Sequence, residues 1–285
     1  MNSLQLAWKI RRHGIEMTHI SKGSHIGAIL SVTDIIAVLY NDIANIDSQN
    51  PKMPDRDRII LSKGHAGAAI YAALAEKGFF DVEELKTHYA DGSRLSGHVS
   101  HKGIPGVEFS TGSLGHGLSV AAGMAYGAKK DQKNHNVFVI LGDGECDEGS
   151  VWEAALMANH YRLNNLVAVI DHNKMQSLDF CENTIELSPF ANKWKAFGWN
   201  VIDIDGHSHD ELRDAYNQAV SSQNKPTVII ANTIKGKGIS FMENDILWHY
   251  RFPHEGEEYD SAVAELKEQM PDGITDMYES EAQKI

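Results

Sequence analysis

Short apolar runs alternate with stretches of helical spacing along most of the chain. Arg58-Ile59-Ile60-Leu61, Val137 to Leu141, Leu166 to Ile170, Val201 to Ile204 and Thr227 to Asn232 are continuous apolar or near-apolar runs. Continuous runs, unlike alternating ones, suit strands covered on both faces. Helical patterns separate them, so the alternation predicts an α/β fold: one doubly wound, mostly parallel sheet with helices on both faces.

The flanking stretches fit that plan. MNSLQLAWKIRRHGIEM reads as an amphipathic helix, and a second helix follows Ser21-Lys22-Gly23-Ser24-His25-Ile26-Gly27. Ser31 and Asp34 have the spacing of an N-terminal capping pair for that helix, as do Asp81 and Glu84 for a short helix to about Tyr89. Ser188-Pro189 predicts a cap followed by proline at the first helical position, and Ser208 with Glu211 caps the next helix. A small-residue helix, Leu118 to Ala128, is expected inside the fold or at a dimer interface. Residues 1–258 read as one domain, and 259–285 as a polar, acidic, solvated helix and tail. No internal repeat, low-complexity tract or linker is present.

The centre of the chain carries the chemistry. Val137 to Leu141 runs into Gly142-Asp143-Gly144, and Leu166 to Ile170 runs into Asp171-His172-Asn173, with Asn173 30 positions beyond Asp143. In an open parallel sheet, ligands bind beyond the carboxyl ends of the strands, so Asp143 and Asn173 are expected to face one crevice. A carboxylate and an amide oxygen suit a hard cation such as Mg²⁺, which takes its remaining oxygens from phosphate and water. The following helix start favours an anion at the same point. Asp91 to Gly117, rich in glycine and histidine, is long enough for a loop in a compact domain to signal function.

Composition narrows the partners. A formal charge of -13 over 285 residues argues against nucleic acid or an anionic membrane surface. The two cysteines, Cys146 and Cys181, form no disulfide framework and have no metal-ligand spacing, which suits a reducing compartment. No signal peptide or membrane span is read, and a cytoplasmic location is expected. No G-x-G-x-x-G follows a strand and no G-x-x-x-x-G-K-[ST] occurs, so the nicotinamide and nucleoside-triphosphate readings lose their support.

Four motifs together resemble the N-terminal, diphosphate-binding domain of transketolase. They are Arg56 to Ala66 (RDRIILSKGHA), Ser96-Gly97-His98, Pro105 to Glu108 with Thr111 to Gly115, and Gly142-Asp143-Gly144 with Glu148-Gly149. The resemblance spans Ile15 to His249 and implies the thiamin diphosphate-binding fold. It implies that Asp143, Asn173 and the Met175 carbonyl hold Mg²⁺ (Ca²⁺ or Mn²⁺ substituting), with Gly144, His65 and His249 on the diphosphate. Gly112 would accept from the cofactor's exocyclic amine, and Leu114 would wedge between its rings. Glu148 would meet the partner's acid at the dimer interface, while His25, His98 and His249 would face the substrate and handle protons. His101, His116, His135, His207 and His209 lack such context and are expected on loops or surface, and Cys146 as an inert neighbour.

The chain departs from the family pattern at Lys174 to Phe180, where an Asp-Gly pair is common, and at Tyr250-Arg251, where glycine usually follows the histidine. Arg251 is expected to help select an anionic sugar. The resemblance also implies that the pyrimidine-binding and C-terminal domains belong to a second polypeptide, in a two-plus-two heterotetramer. That enzyme would move a two-carbon ketol unit from a ketose phosphate to an aldose phosphate. Alternatives are a specialised relative for a modified sugar (sulfofructose or apulose phosphate), a 2-oxoacid dehydrogenase or deoxyxylulose-phosphate synthase, and a non-catalytic cofactor-binding scaffold.

Overall fold

Five parallel strands make one sheet in the order β1-β2-β3-β5-β4: β1 (Arg58–Leu61), β2 (Val137–Gly142), β3 (Leu166–His172), β4 (Asn200–Asp205) and β5 (Thr227–Asn232). The structure, a computed structural model, describes residues 1–278. Helices cover both faces. The apolar runs of β1, β2, β3 and β5 are buried on both sides, because successive side chains point to opposite faces, whereas β4, at the sheet edge, has no fully buried residue. Phe138 and Ile140 of β2 join a core built with α1 (Ser3–Ser21), α2 (Ile26–Val38), α3 (Gly67–Glu76) and α8 (His209–Val220). Val137, Val139 and Leu141 join a second core with α4 (Gly117–Lys130), α5 (Gly149–His160) and α7 (Phe190–Ala196).

Register aligns the strand ends. Gly142 pairs with Asp171, and Asp171 with Ala231, so the segments leaving β2, β3 and β5 emerge at one edge of the sheet. α6 (Cys181–Thr184) is a single turn in the segment after β3. The helical stretch Ile26–Ile43 is long and apolar enough to cross a membrane, yet 83% of it is buried inside the fold.

Three local expectations are corrected. Ser31 and Asp34 cap nothing: α2 starts at Ile26, and both side chains lie buried inside it, bonded to Asp171 and Arg11. Pro189 occupies the N-cap of α7 rather than its first turn, and no side chain caps that end. The segment Val82–Thr87 is a 3₁₀ helix whose Asp81 carboxylate caps it through Glu83 N–H.

The acidic C-terminal stretch is not simply solvated. α9 (Glu257–Glu268) buries Ala262, Val263 and Leu266, and Trp8 of α1 donates its indole N–H to the Leu266 carbonyl at 2.7 Å. Asp276, 5% exposed, pairs with Arg12 at 2.8 Å. The remainder of the expected tail, residues 279–285, lies outside the described residues.

Candidate active site

Each strand that ends at the crevice contributes side chains. After β1 the chain turns sharply through Gly64–Ala66. A Cβ on Gly64 would sit 2.5 Å from the Thr111 carbonyl oxygen, so only glycine lets the long glycine- and histidine-rich loop close over this turn. That closure brings His65 and His98 together across a cavity of about 240 Å³, which Gly112 and Leu114 also line.

His25 stands at the middle of the site. It has left-handed backbone (φ 78°) at the start of α2, an uncommon conformation for a residue with a side chain. Its N–H donates to the His249 carbonyl at 3.0 Å, which holds the turn against the aromatic loop. Ring centroids lie 5.1 Å from His65, 5.7 Å from His98 and 5.2 Å from His249. The four histidines, distant in sequence, thus form one cluster. Burial lowers His25 to about 4, with His98 and Lys235 adding to the effect. Burial and Lys235 lower His249 to about 3, and burial beside Lys63 takes His65 well below its ordinary value. All three are neutral at neutral pH, able to donate or accept a hydrogen bond. The Nδ1 atom of His25 is buried without a hydrogen-bond partner, a donor or acceptor site left for something in the cavity.

Of the expected cation ligands, Asn173 and Met175 line the cavity, and Asp143 is buried between the end of β2 and the turn that carries them. Asp143, 2% exposed, accepts from Gly144 N–H at 2.8 Å and Lys174 N–H at 2.5 Å, so one carboxylate ties the end of β2 to the turn after β3. Burial raises its pKa, and Asp171 adds to the rise. Asn173, 5% exposed, accepts from Met175 N–H at 3.1 Å, and Gly144, Asn173 and Met175 line the same cavity as the histidines. Among the described residues no group of three or more His, Cys, Asp or Glu forms a metal cluster. The donors here are instead one carboxylate, one amide oxygen and one peptide oxygen. These hard donors fit a cation that completes its shell with phosphate oxygens.

Other expectations separate. Glu148 is exposed at the N-cap of α5, away from the cavity lining, and makes no side-chain capping bond. Cys146 is fully buried and its thiol is pushed well up by burial, an inert neighbour as expected. Arg251 pairs with Glu258 at 2.5 Å and lies over the Trp248 ring at 5.0 Å, whereas its neighbour Tyr250 lines the cavity. His207 lies on the loop between β4 and α8, as expected, whereas His209 is buried at the start of α8. Both bond the buried Asp34 carboxylate, at 2.7 and 3.1 Å.

Several site residues escaped sequence reasoning. Lys63 and Lys235, 2% and 1% exposed, both line the cavity. Asp171, fully buried, accepts from Lys63 Nζ at 2.5 Å, from Ser31 at 2.6 Å and from the Thr233 hydroxyl. Ser31 in turn accepts from the Asn173 amide at 3.3 Å. Glu145, 2% exposed, accepts from the Ser62 hydroxyl, from Gly115 N–H at 2.9 Å and from Gly142 N–H at 3.1 Å, which joins three loops beneath the site. The available signal was position: each lies within a few residues of a strand end in the alternating pattern.

Fold and site together define an α/β protein whose parallel strand ends build a polar cavity suited to a diphosphate and a hard cation. The family profile described as transketolase, thiamine diphosphate binding domain, matches residues 3–263. The 6-deoxy-6-sulfo-D-fructose transketolase subunit SqwG of Clostridium sp. (strain MSTE9) is 45% identical over 245 residues, 86% of this chain and 89% of that protein. An apulose-4-phosphate transketolase subunit from Phocaeicola vulgatus is 40% identical over 262 residues, 92% of each. The transketolase structure from Campylobacter jejuni superposes with a TM-score of 0.86 at 29% identity, covering 95% of this chain and 43% of that one. The chain therefore spans less than half the length of that transketolase chain. It belongs to the family of transketolase thiamin diphosphate-binding domains.

Proposed function

We propose that this chain is the diphosphate-binding subunit of a split transketolase, transferring a two-carbon ketol unit from a ketose phosphate to an aldose phosphate. The observation that carries the reading is the meeting of four histidines, two lysines and Asn173 in one cavity, with the buried Asp143 carboxylate bonded to the Lys174 N–H next to Asn173. Near-complete coverage of relatives named as transketolase subunits supports it.

In this reading Asp143, Asn173 and the Met175 carbonyl hold Mg²⁺, and Gly144 N–H, His65, His249 and the two lysines receive the diphosphate. Thiamin diphosphate, when bound, supplies a carbon nucleophile for a ketose carbonyl and a carrier for the two-carbon unit. The chain's own residues bind, orient and move protons. Gly112 and Leu114 hold the cofactor's rings, and His25 and His98 donate to sugar oxygens from the open side of the cavity. Glu148, exposed at the N-cap of α5, meets the second polypeptide. That partner brings the pyrimidine-binding and C-terminal domains, and the complex is a heterotetramer of two copies of each, working in the cytoplasm. The alternative reading, a specialised transketolase for sulfofructose or apulose phosphate, draws support from the names of those relatives.

The test is purification of this chain alone and with the partner, followed by two-carbon transfer assays with thiamin diphosphate and Mg²⁺. Activity is expected of the pair only. Turnover by the lone chain overturns the split-enzyme reading, and cofactor binding without transfer to any aldose by the pair favours a scaffold.

A further inference from the structure

Asp34 is the most heavily engaged carboxylate outside the cavity. It sits inside α2, 4% exposed, and accepts a two-pronged bond from Arg11 at 3.0 and 2.5 Å. His207 Nδ1 meets its Oδ2 at 2.7 Å, an oxygen it shares with Arg11 Nη2. Both partners then grip one turn. Ile234 donates its backbone N–H to His207 Nε2 at 2.8 Å, and Arg11 Nε donates to the Lys237 carbonyl at 3.2 Å. A backbone N–H only donates, so Nε2 carries the lone pair and the Nδ1 proton points at Asp34. The gripped turn carries Lys235, whose amine meets His249 Nδ1 at 2.6 Å and the Gln176 carbonyl at 3.2 Å inside the cavity. Gly206 makes the grip possible: a Cβ there would lie 2.5 Å from Thr233 Cγ2.

We propose that His207 is a positioning residue, oriented by Asp34, that sets the Ile234–Lys237 turn and so aims the Lys235 ammonium at the cofactor's diphosphate. The role rests on the diphosphate-site reading above. Without the Ile234 bond the turn has one tether fewer, and the ammonium spends less time at its binding position. Asparagine at 207 reaches only the Nδ1 position, which keeps the Asp34 bond and drops the Ile234 bond. Glutamine reaches the Nε2 position and does the reverse.

The experiment measures thiamin diphosphate binding with Mg²⁺ by calorimetry to the complex of this chain and its partner, with amide exchange at Ile234 recorded in parallel. Wild type and His207→Gln are expected to bind alike, and His207→Asn about tenfold more weakly, the worth of one well-placed hydrogen bond. Ile234 exchange quickens in His207→Asn alone. Lys235→Ala and the double variant His207→Asn/Lys235→Ala bind equally, because the histidine acts only through the lysine. Gly206→Ala, which pushes the loop off β5 and leaves His207 intact, gives the same non-additive loss and serves if His207→Asn does not fold. Equal binding by wild type and His207→Asn, or losses that add in the double variants, overturn the positioning role. No binding by wild type removes the diphosphate site itself, and the role of His207 with it.

Discussion

Replacing Asp171 by asparagine tests the buried charge network beneath the cavity. Asp171 is 0% exposed and Lys63 2% exposed, with 2.5 Å between them. Asparagine keeps the shape and the acceptor facing the Thr233 hydroxyl, but leaves the Lys63 ammonium buried without its counter-charge. Breaking one side of such a pair costs about 3–5 kcal/mol, a large share of the roughly 5–15 kcal/mol that stabilises a folded domain. At about 2–4 °C per kcal/mol for a large domain, Tm falls by roughly 6–20 °C.

The effect has a pH signature. Burial alone would raise the Asp171 carboxyl, yet the Lys63 charge and bonds from Lys63, Ser31 and Thr233 hold it below its ordinary value. A depressed carboxylate contributes stability above its unfolded pKa and loses it as pH falls through the folded value. The gap between wild type and Asp171→Asn is therefore full at neutral pH and closes in acid. Denaturant melts of wild type, Asp171→Asn and Lys63→Met/Asp171→Asn read the outcome. The double variant, which removes the stranded charge, is expected to recover part of the loss. A single variant as stable as wild type, or a double variant no better than the single, refutes the network's role.

Three further outcomes follow from the site. Asp143→Ala is expected to weaken Mg²⁺-dependent thiamin diphosphate binding by more than about tenfold, since charge-assisted contacts are worth about 1.5–3 kcal/mol; unchanged affinity by calorimetry rules out the metal assignment. His25 and His249 have pKa values lowered to about 4 and about 3, so between their unfolded values near 6.5 and these the unfolded chain binds more protons and stability falls with falling pH. His25→Asn is expected to flatten that slope of Tm against pH, and an unaltered slope contradicts the burial of a neutral ring. Arg251→Ala is expected to leave the KM for anionic sugars within about twofold, because an exposed pair such as that with Glu258 is worth about 1 kcal/mol or less; a larger rise specific to charged sugars returns Arg251 to the site.

The sheet was legible because its cause is local. Runs such as Val137 to Leu141 and Thr227 to Asn232 are apolar at nearly every position, and only a strand covered on both faces uses them all. The Asp143–Asn173 pair was equally readable, since each residue closes a run and parallel register carries both to one edge. Ser31 and Asp34 show where local rules fail. Their spacing matches a capping pair, but hydroxyl and carboxylate do the same chemistry inside a helix when buried partners wait, and those partners come from β3, α1 and the loop before α8. Of the histidines expected on loops or surface, His207 does lie on a loop, but His209, buried at the start of α8, was misplaced for the same reason.

By itself, then, the sequence determined the alternation of elements and the sheet edge at which Asp143 and Asn173 leave their strands. These depend on spacing within one segment. Only the tertiary structure decided that Lys63 and Lys235 enter the cavity, that Asp171 ties Lys63 to Ser31, Thr233 and hence Asn173, and that Arg11 and His207, both held by Asp34, grip the turn that carries Lys235. A lysine or aspartate is soluble anywhere on a surface, and nothing local marks the one that is buried. Its place is set by where the opposite charge arrives, from a segment 108 residues away for Lys63 and Asp171.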